Sequence, residues 1–277
     1  GQLLRTLYYE TELHLTGGFS ELSHAVRAEA ARAALADGLS DWDEATRTRY
    51  LALPYENYLF TVPLEDQIRH MEMLRNADAA GRNLFTSMRA HQFEAVTEIT
   101  VVSPDQPRLL SVIAGACAAA GANIVDAQIF TTADGRALDT ILISREFEFE
   151  EDENRRSRRV CAMIEAALSG EIGLPEMIAN RPRPKRGTKA FRVEPKAAIR
   201  NTLSNRFSVI EIECLDRPGL LSEITGALSD LSLNIVSAHI STFGEKVIDT
   251  FYVSDFAGLK IEEPARQEEV RETLIAV

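Results

Sequence analysis

Two short stretches, "SPDQPRLL" from Ser103 to Leu110 and "CLDRPGLL" from Cys214 to Leu221, each set an acid and a proline between an alternating apolar run and a helix-like one. In the second stretch Asp216 supplies fixed negative charge that can pair with an ammonium group. Gly219 lets a ligand approach the backbone with no Cβ in the way, and the free N–H groups that open the next helix, with Pro218 in its first turn, attract a carboxylate. A free amino acid carries both of those charges. The same residue types also serve turns on their own account, Asp216 as a helix cap and Gly219 as the turn itself. Asn123 and Asn234, each followed by Ile-Val, can tie down the loop or bond a ligand's amide or carboxylate. The recurrence of Asp, Pro and "NIV" in both stretches favours a binding site.

Catalytic chemistry is harder to place. The chain has no phosphate-cradling glycine loop, no GxSxG elbow and no convincing pair of catalytic acids. His14, His24, His70 and His91 lack a neighbouring His-Asp pair or metal-ligand spacing, and His239 in "SAHIST" reads as a structural histidine on a strand. No catalytic residue, metal ligand or cofactor is therefore assigned to this chain. Cys117, Cys161 and Cys214 are far apart and odd in number, which suits reduced buried thiols. The acid run Glu148 to Glu153 reads as a solvated face, and the basic stretch Arg181 to Lys189 as a solvated loop.

The elements that hold the two loops repeat. "ITVVSPDQPRLLSVIAGACAAAGANIVDAQIFTTADGRALDTILIS" and "IEIECLDRPGLLSEITGALSDLSLNIVSAHISTFGEKVIDTFYVS" share Asp105/Asp216, Pro107/Pro218, Leu109/Leu220, Leu110/Leu221, Ile113/Ile224, Asn123/Asn234, Ile124/Ile235 and Asp139/Asp249. Each copy reads as strand, helix, strand, hairpin, strand. Ile210, Ile212 and Cys214 alternate with Glu211 and Glu213, and Leu220, Ile224, Leu228 and Leu231 form one helical stripe to cover the apolar face. A helix from about Glu153 to Leu168 and a fourth strand, "AFRV", complete a βαββαβ unit in the first copy. The second copy ends at "QEEVRETLIAV", a second helix with no strand after it. Before the repeat the signals are helical. Ser20 opens a helix with Leu22, Val26 and Ala30 on one face, Ser40 and Asp43 make a capping box, and Leu64, Ile68, Met71 and Leu74 form a stripe.

The expected fold is thus α+β: two tandem ferredoxin-like βαββαβ units over residues 94–200 and 206–277, preceded by an all-helical segment over residues 1–90. With 277 residues, a net charge of −12 and a pI near 5.0, the chain can bury a core and lacks the basic face that nucleic acid requires. No run reaches transmembrane length, and the start, "GQLLRTLYYETE", has neither Met nor a signal pattern, so the expectation is a piece of a longer cytoplasmic protein.

The "LDRPGLL" loop, the "NIV" after it and the βαββ order resemble the ACT family of small amino-acid-sensing modules. With "GANIVDAQIFTT", "LDTILIS" and the helical lead-in, the whole chain resembles the C-terminal part of the bacterial bifunctional enzymes that uridylylate and deuridylylate the PII signal protein. That resemblance implies a cytoplasmic, glutamine-sensing regulatory region with L-glutamine as effector and PII as the parent enzyme's substrate. It also implies a parent that is a nucleotidyltransferase and phosphodiesterase needing magnesium or another divalent metal, in domains whose signatures this chain does not contain. The ligand residues it implies are Asp216, Arg217, Gly219, Leu220, Leu221, Asn234 and Ile235 in the second copy. In the first they are Asp105, Gln106, Arg108, Leu109, Leu110, Asn123 and Ile124, with Arg108 standing where the glycine belongs. A cation there can fill the pocket or meet a carboxylate. The copies are expected to pair with each other or with those of a second chain, glutamine strengthening the pairing. The rival readings are a docking module that binds no metabolite and the sensing pair of a different regulated enzyme.

Overall fold

In the computed structural model the described residues are 21–91, 95–174, 177, 194–243 and 246–277. The opening "GQLLRTLYYETE", His14, the Ser20 cap, the basic stretch 181–189 and the "AFRV" strand lie outside them, as do the side chains of Leu22 and His24. The chain divides into two compact units: residues up to 85 with 102–105 and 130–138, and residues 86–101, 106–129 and 139–277.

Helices α1 (Glu21–Gly38), α2 (Glu44–Leu51), α3 (Glu56–Thr61) and α4 (Leu64–Ala79) belong to the first unit. Leu35, Leu39, Trp42, Tyr50, Leu59, Met71 and Leu74 form its core together with Phe130 and Leu138. Two expectations need correcting. Val26 is 61% exposed and Ala30 is exposed too, so α1 turns Ala28 and Leu35 inward instead, with buried Leu39 just past its end. Asp43, rather than Ser40, caps α2, its Oδ1 accepting from the Thr46 N–H at 3.0 Å.

The strands are β1 (Phe85–His91), β2 (Val96–Pro104), β3 (Ile124–Gln128), β4 (Arg136–Ser144), β5 (Lys196–Arg200), β6 (Ser208–Leu215), β7 (Leu233–Phe243) and β8 (Lys246–Asp255). They form one eight-stranded sheet in the order β1-β2-β4-β3-β7-β8-β6-β5. Helices α5 (Leu109–Ala120), α6 (Glu150–Leu168), α7 (Leu220–Asp230) and α8 (Pro264–Ala276) complete the second unit. Alternation decides the faces: Ile210, Ile212 and Cys214 of β6 are buried, as are Leu220, Ile224, Leu228 and Leu231 of the helical stripe that follows.

The strand order corrects the sequence reading. Residues 85–91, taken as part of a helical span, form β1 next to β2. Residues 196–200, taken as the end of the first repeat's region, form β5 and pair with β6 antiparallel, Ala197 opposite Ile212 and Ile199 opposite Ile210. Each copy therefore draws its fourth strand from the chain before it, and the second copy does not lack one. The copies meet where β3 pairs antiparallel with β7, Asp126 opposite His239 and Ala127 opposite Ala238. Above this seam α5 packs beside α7. Ser111 Oγ donates to the Ser222 carbonyl and Ser222 Oγ to that of Ser111, both at 2.7 Å. Gly226 permits the approach, since a Cβ there would stand 3.1 Å from Ser111 Oγ.

Candidate functional site

The second loop leaves β6 at Leu215 and enters α7 at Leu220. Gly219 sits at the cap position with φ 83°, a left-handed conformation that glycine adopts without steric cost, and no side chain caps the helix. Pro218 therefore lies in the turn before the helix rather than in its first turn. Leu220 N–H donates to the Arg217 carbonyl at 3.1 Å and Glu223 N–H to that of Gly219 at 3.0 Å. Among the described residues the amides of Gly219, Leu221 and Ser222 show no backbone acceptor outside the helix. Those amides, at the positive end of a helix, face the need of an anion.

Asp216 is exposed and its carboxylate has no hydrogen-bond partner among the described residues. It does not cap the helix. Arg217 turns back to the Glu223 carboxylate, and that bond holds its guanidinium pKa above the usual value. Leu220 is buried and Leu221 and Ile235 half-buried, which gives the corner an apolar floor. Asn234 is exposed and donates from Nδ2 to the Asp255 carbonyl at 3.2 Å, so it ties the start of β7 to the end of β8.

The first loop is spent differently. Asp105, in the first unit, accepts from Thr131 Oγ1 at 3.1 Å, and its N–H donates to the Gly135 carbonyl at 3.1 Å. Arg108, in the second unit, caps α5 with φ 64°. Its N–H donates to Ser229 Oγ at 3.1 Å and its Nη2 to Asp230 Oδ2 at 3.2 Å. The Gln106 carbonyl accepts from Leu109 N–H at 3.3 Å. Leu109, Leu110 and Ile124 are buried, and Asn123 is exposed with its carbonyl accepting from Ser144 N–H at 2.9 Å.

Asp249 was not singled out as a site residue. It stands on β8 opposite Ile212 of β6, is 1% exposed, and its Oδ1 has no hydrogen-bond partner among the described residues. Burial pushes its pKa up to about 7, the Ser241 backbone N–H works against this, and the Asp216 charge adds to it. Its repeat counterpart Asp139 is equally buried. The available signal was the acid shared by both copies at an apolar-facing position of an alternating strand.

Several other titratable groups are engaged within the fold. Burial, with Asp249 next, lifts the Cys214 thiol to about 11, and burial lifts Cys117 to about 12. His70 bonds the Tyr58 hydroxyl at 3.0 Å, and burial, aided by Arg69, drops its pKa to about 3. His91 meets Glu98 at 3.0 Å, and His239 meets Asp126 across the β3–β7 seam. Glu153 corrects the reading of the acid run as solvated: it is 1% exposed and accepts from the Glu146 and Phe147 N–H groups at 3.2 Å and from Arg156 at 2.9 Å. Burial opposes its ionisation, yet those donors hold its pKa below the usual value. Among the described residues no cluster of three His, Cys, Asp or Glu side chains is placed to hold a metal, and no helix is long and apolar enough to cross a membrane.

Residues 208–271 match the family model of the ACT domain. Such a domain implies a small-molecule-sensing regulatory role and typically binds amino-acid effectors. The matched span contains the Asp216–Leu221 loop, α7 and the β7–β8 hairpin. Among solved structures, the chain is similar to an unknown protein from Galdieria sulphuraria, 14% identical over 66% of this chain and 90% of that one, TM-score 0.22. It is also similar to a putative glycine cleavage system transcriptional repressor, 17% identical over 65% of this chain and 90% of that one, TM-score 0.22.

Proposed function

We propose that, with an ACT domain at residues 208–271 as the starting point, the chain is a glutamine-sensing regulatory region that binds its effector at the Asp216–Leu221 loop. The observation that carries this reading is the corner itself. An exposed, unengaged Asp216 carboxylate stands beside amides of Gly219, Leu221 and Ser222 that have no backbone acceptor outside the helix. The first suits the ammonium and the second the carboxylate of one amino acid. The two repeats are then tandem ferredoxin-like units, each completed by the strand before it and joined to the other through β3 and β7. This arrangement supports pairing of the copies within one chain.

By resemblance the parent protein is the cytoplasmic enzyme that uridylylates and deuridylylates PII, its catalysis resting on a divalent metal in domains outside this sequence. An effector held at a loop between paired units shifts their balance by its differential affinity for two arrangements, which is what a sensor requires. Isothermal titration with L-glutamine, with L-glutamate as the control for amide recognition, tests the reading. Saturable binding of glutamine alone is expected. Equal binding of both would remove the glutamine assignment, and binding of no amino acid would favour a docking module.

A further inference from the structure

The two loops share a backbone and differ in what fills it. Arg108 and Gly219 occupy the same left-handed region, φ 64° and 83°. The Arg108 amide, which a carboxylate at this corner would use, is already given to Ser229 Oγ at 3.1 Å. Its guanidinium extends over α7 to Asp230 at 3.2 Å, passing so close to Gly226 that a Cβ there would stand 3.0 Å from Nη2. The ion pair is exposed on both sides and holds little by itself. The amide bond and the occupied space are what count, because they remove the donor and the room together.

The receiving groups exist on one side only. The repeat counterparts of Ser229 and Asp230 are Ala118 and Ala119, which offer no side-chain oxygen, and the counterpart of Arg108 is Gly219, which offers no side chain. An arginine at the left-handed corner and a serine and an acid at the end of the facing helix are three choices that agree with one another and have no equivalent in the other copy. We propose that Arg108 is a built-in occupant of the first loop, so that the chain takes one amino-acid effector, at the Asp216–Leu221 loop. The count of one rests on the reading of the second loop given above; the occupancy by Arg108 rests on these contacts alone.

Isothermal titration of the parent, Arg108→Gly and Arg108→Ala with L-glutamine, and then with each other proteinogenic amino acid, tests this. Arg108→Gly puts the residue suited to φ 64° at the corner, and Arg108→Ala is the second variant should the first not fold. One site per chain in the parent and two in the variants are expected. Two sites in the parent, or one in variants that fold, would overturn the proposal. No binding by the parent with one site in the variants would uphold Arg108 as occupant and sink the effector reading of the second loop. No binding by any of them would overturn both.

Discussion

Asp249 places a carboxylic acid where β8 turns an apolar face inward, between the buried Val247 and Phe251. Its folded pKa of about 7 lies above the ordinary carboxylate value of 3.8, so the folded chain holds a proton that the unfolded chain releases. The sign follows: this acid's contribution is fully present below about pH 4, declines as pH rises, and is lost above about pH 7. Asp249→Asn should flatten the urea-unfolding free energy across that window and make the protein more stable at pH 8, by roughly a few kcal/mol. An unchanged slope would mean that Asp249 is ionised in the fold. Glu153 runs the other way. Its pKa is lowered, so its contribution is present above about pH 4.5 and lost as pH falls through the folded value. Glu153→Ala, which strips the buried Arg156 of one carboxylate, should cost roughly 3 kcal/mol at pH 7 by the same assay. The turn at Gly219 was legible in the sequence because few residue types adopt a φ of 83° without cost. Asp249 and Glu153 were not, because charge in a strand or in an acid run reads as solvent-facing until the packing against it is known.

At the scale of elements, α7 was legible from one stripe, and the β6 alternation from three apolar residues. The strands β1 and β5 were not, because "FTSMRAH" and "KAAIR" alternate too weakly to announce a buried face; β5 is a strand because β6 gives it a register of five partners. The contact of α5 with α7 rests on small residues, and there the serine pair can be dissected. Each hydroxyl bonds the other serine's backbone carbonyl, which substitution of that other serine leaves in place. Ser111→Ala and Ser222→Ala should therefore each cost about 1 kcal/mol, and the double variant about the sum. A coupling beyond about 0.5 kcal/mol in the unfolding cycle would instead assign the energy to the hydroxyl–hydroxyl contact at 3.4 Å.

At the scale of the whole molecule, the repeat is visible in the sequence, and the order of strands, with β3 beside β7, only in the fold. In the second copy the strand beside β6 is β5, which comes from the chain before it. The loop proposed above to hold the effector lies in the second unit, and a ligand that binds only the folded chain there stabilises it. Glutamine at about a hundredfold over its dissociation constant should add about 2.7 kcal/mol, which for a unit of this size raises the Tm by roughly 5–10 °C. Asp216→Asn, which removes the charge offered to the ammonium but keeps the side chain's shape, should reduce that rise, measured from the variant's own ligand-free Tm. The rise should also continue with the logarithm of glutamine concentration beyond saturation, because the unfolded chain has no such corner. A plateau would mean that glutamine binds the unfolded chain as well, and an equal rise in Asp216→Asn would move the effector away from this loop.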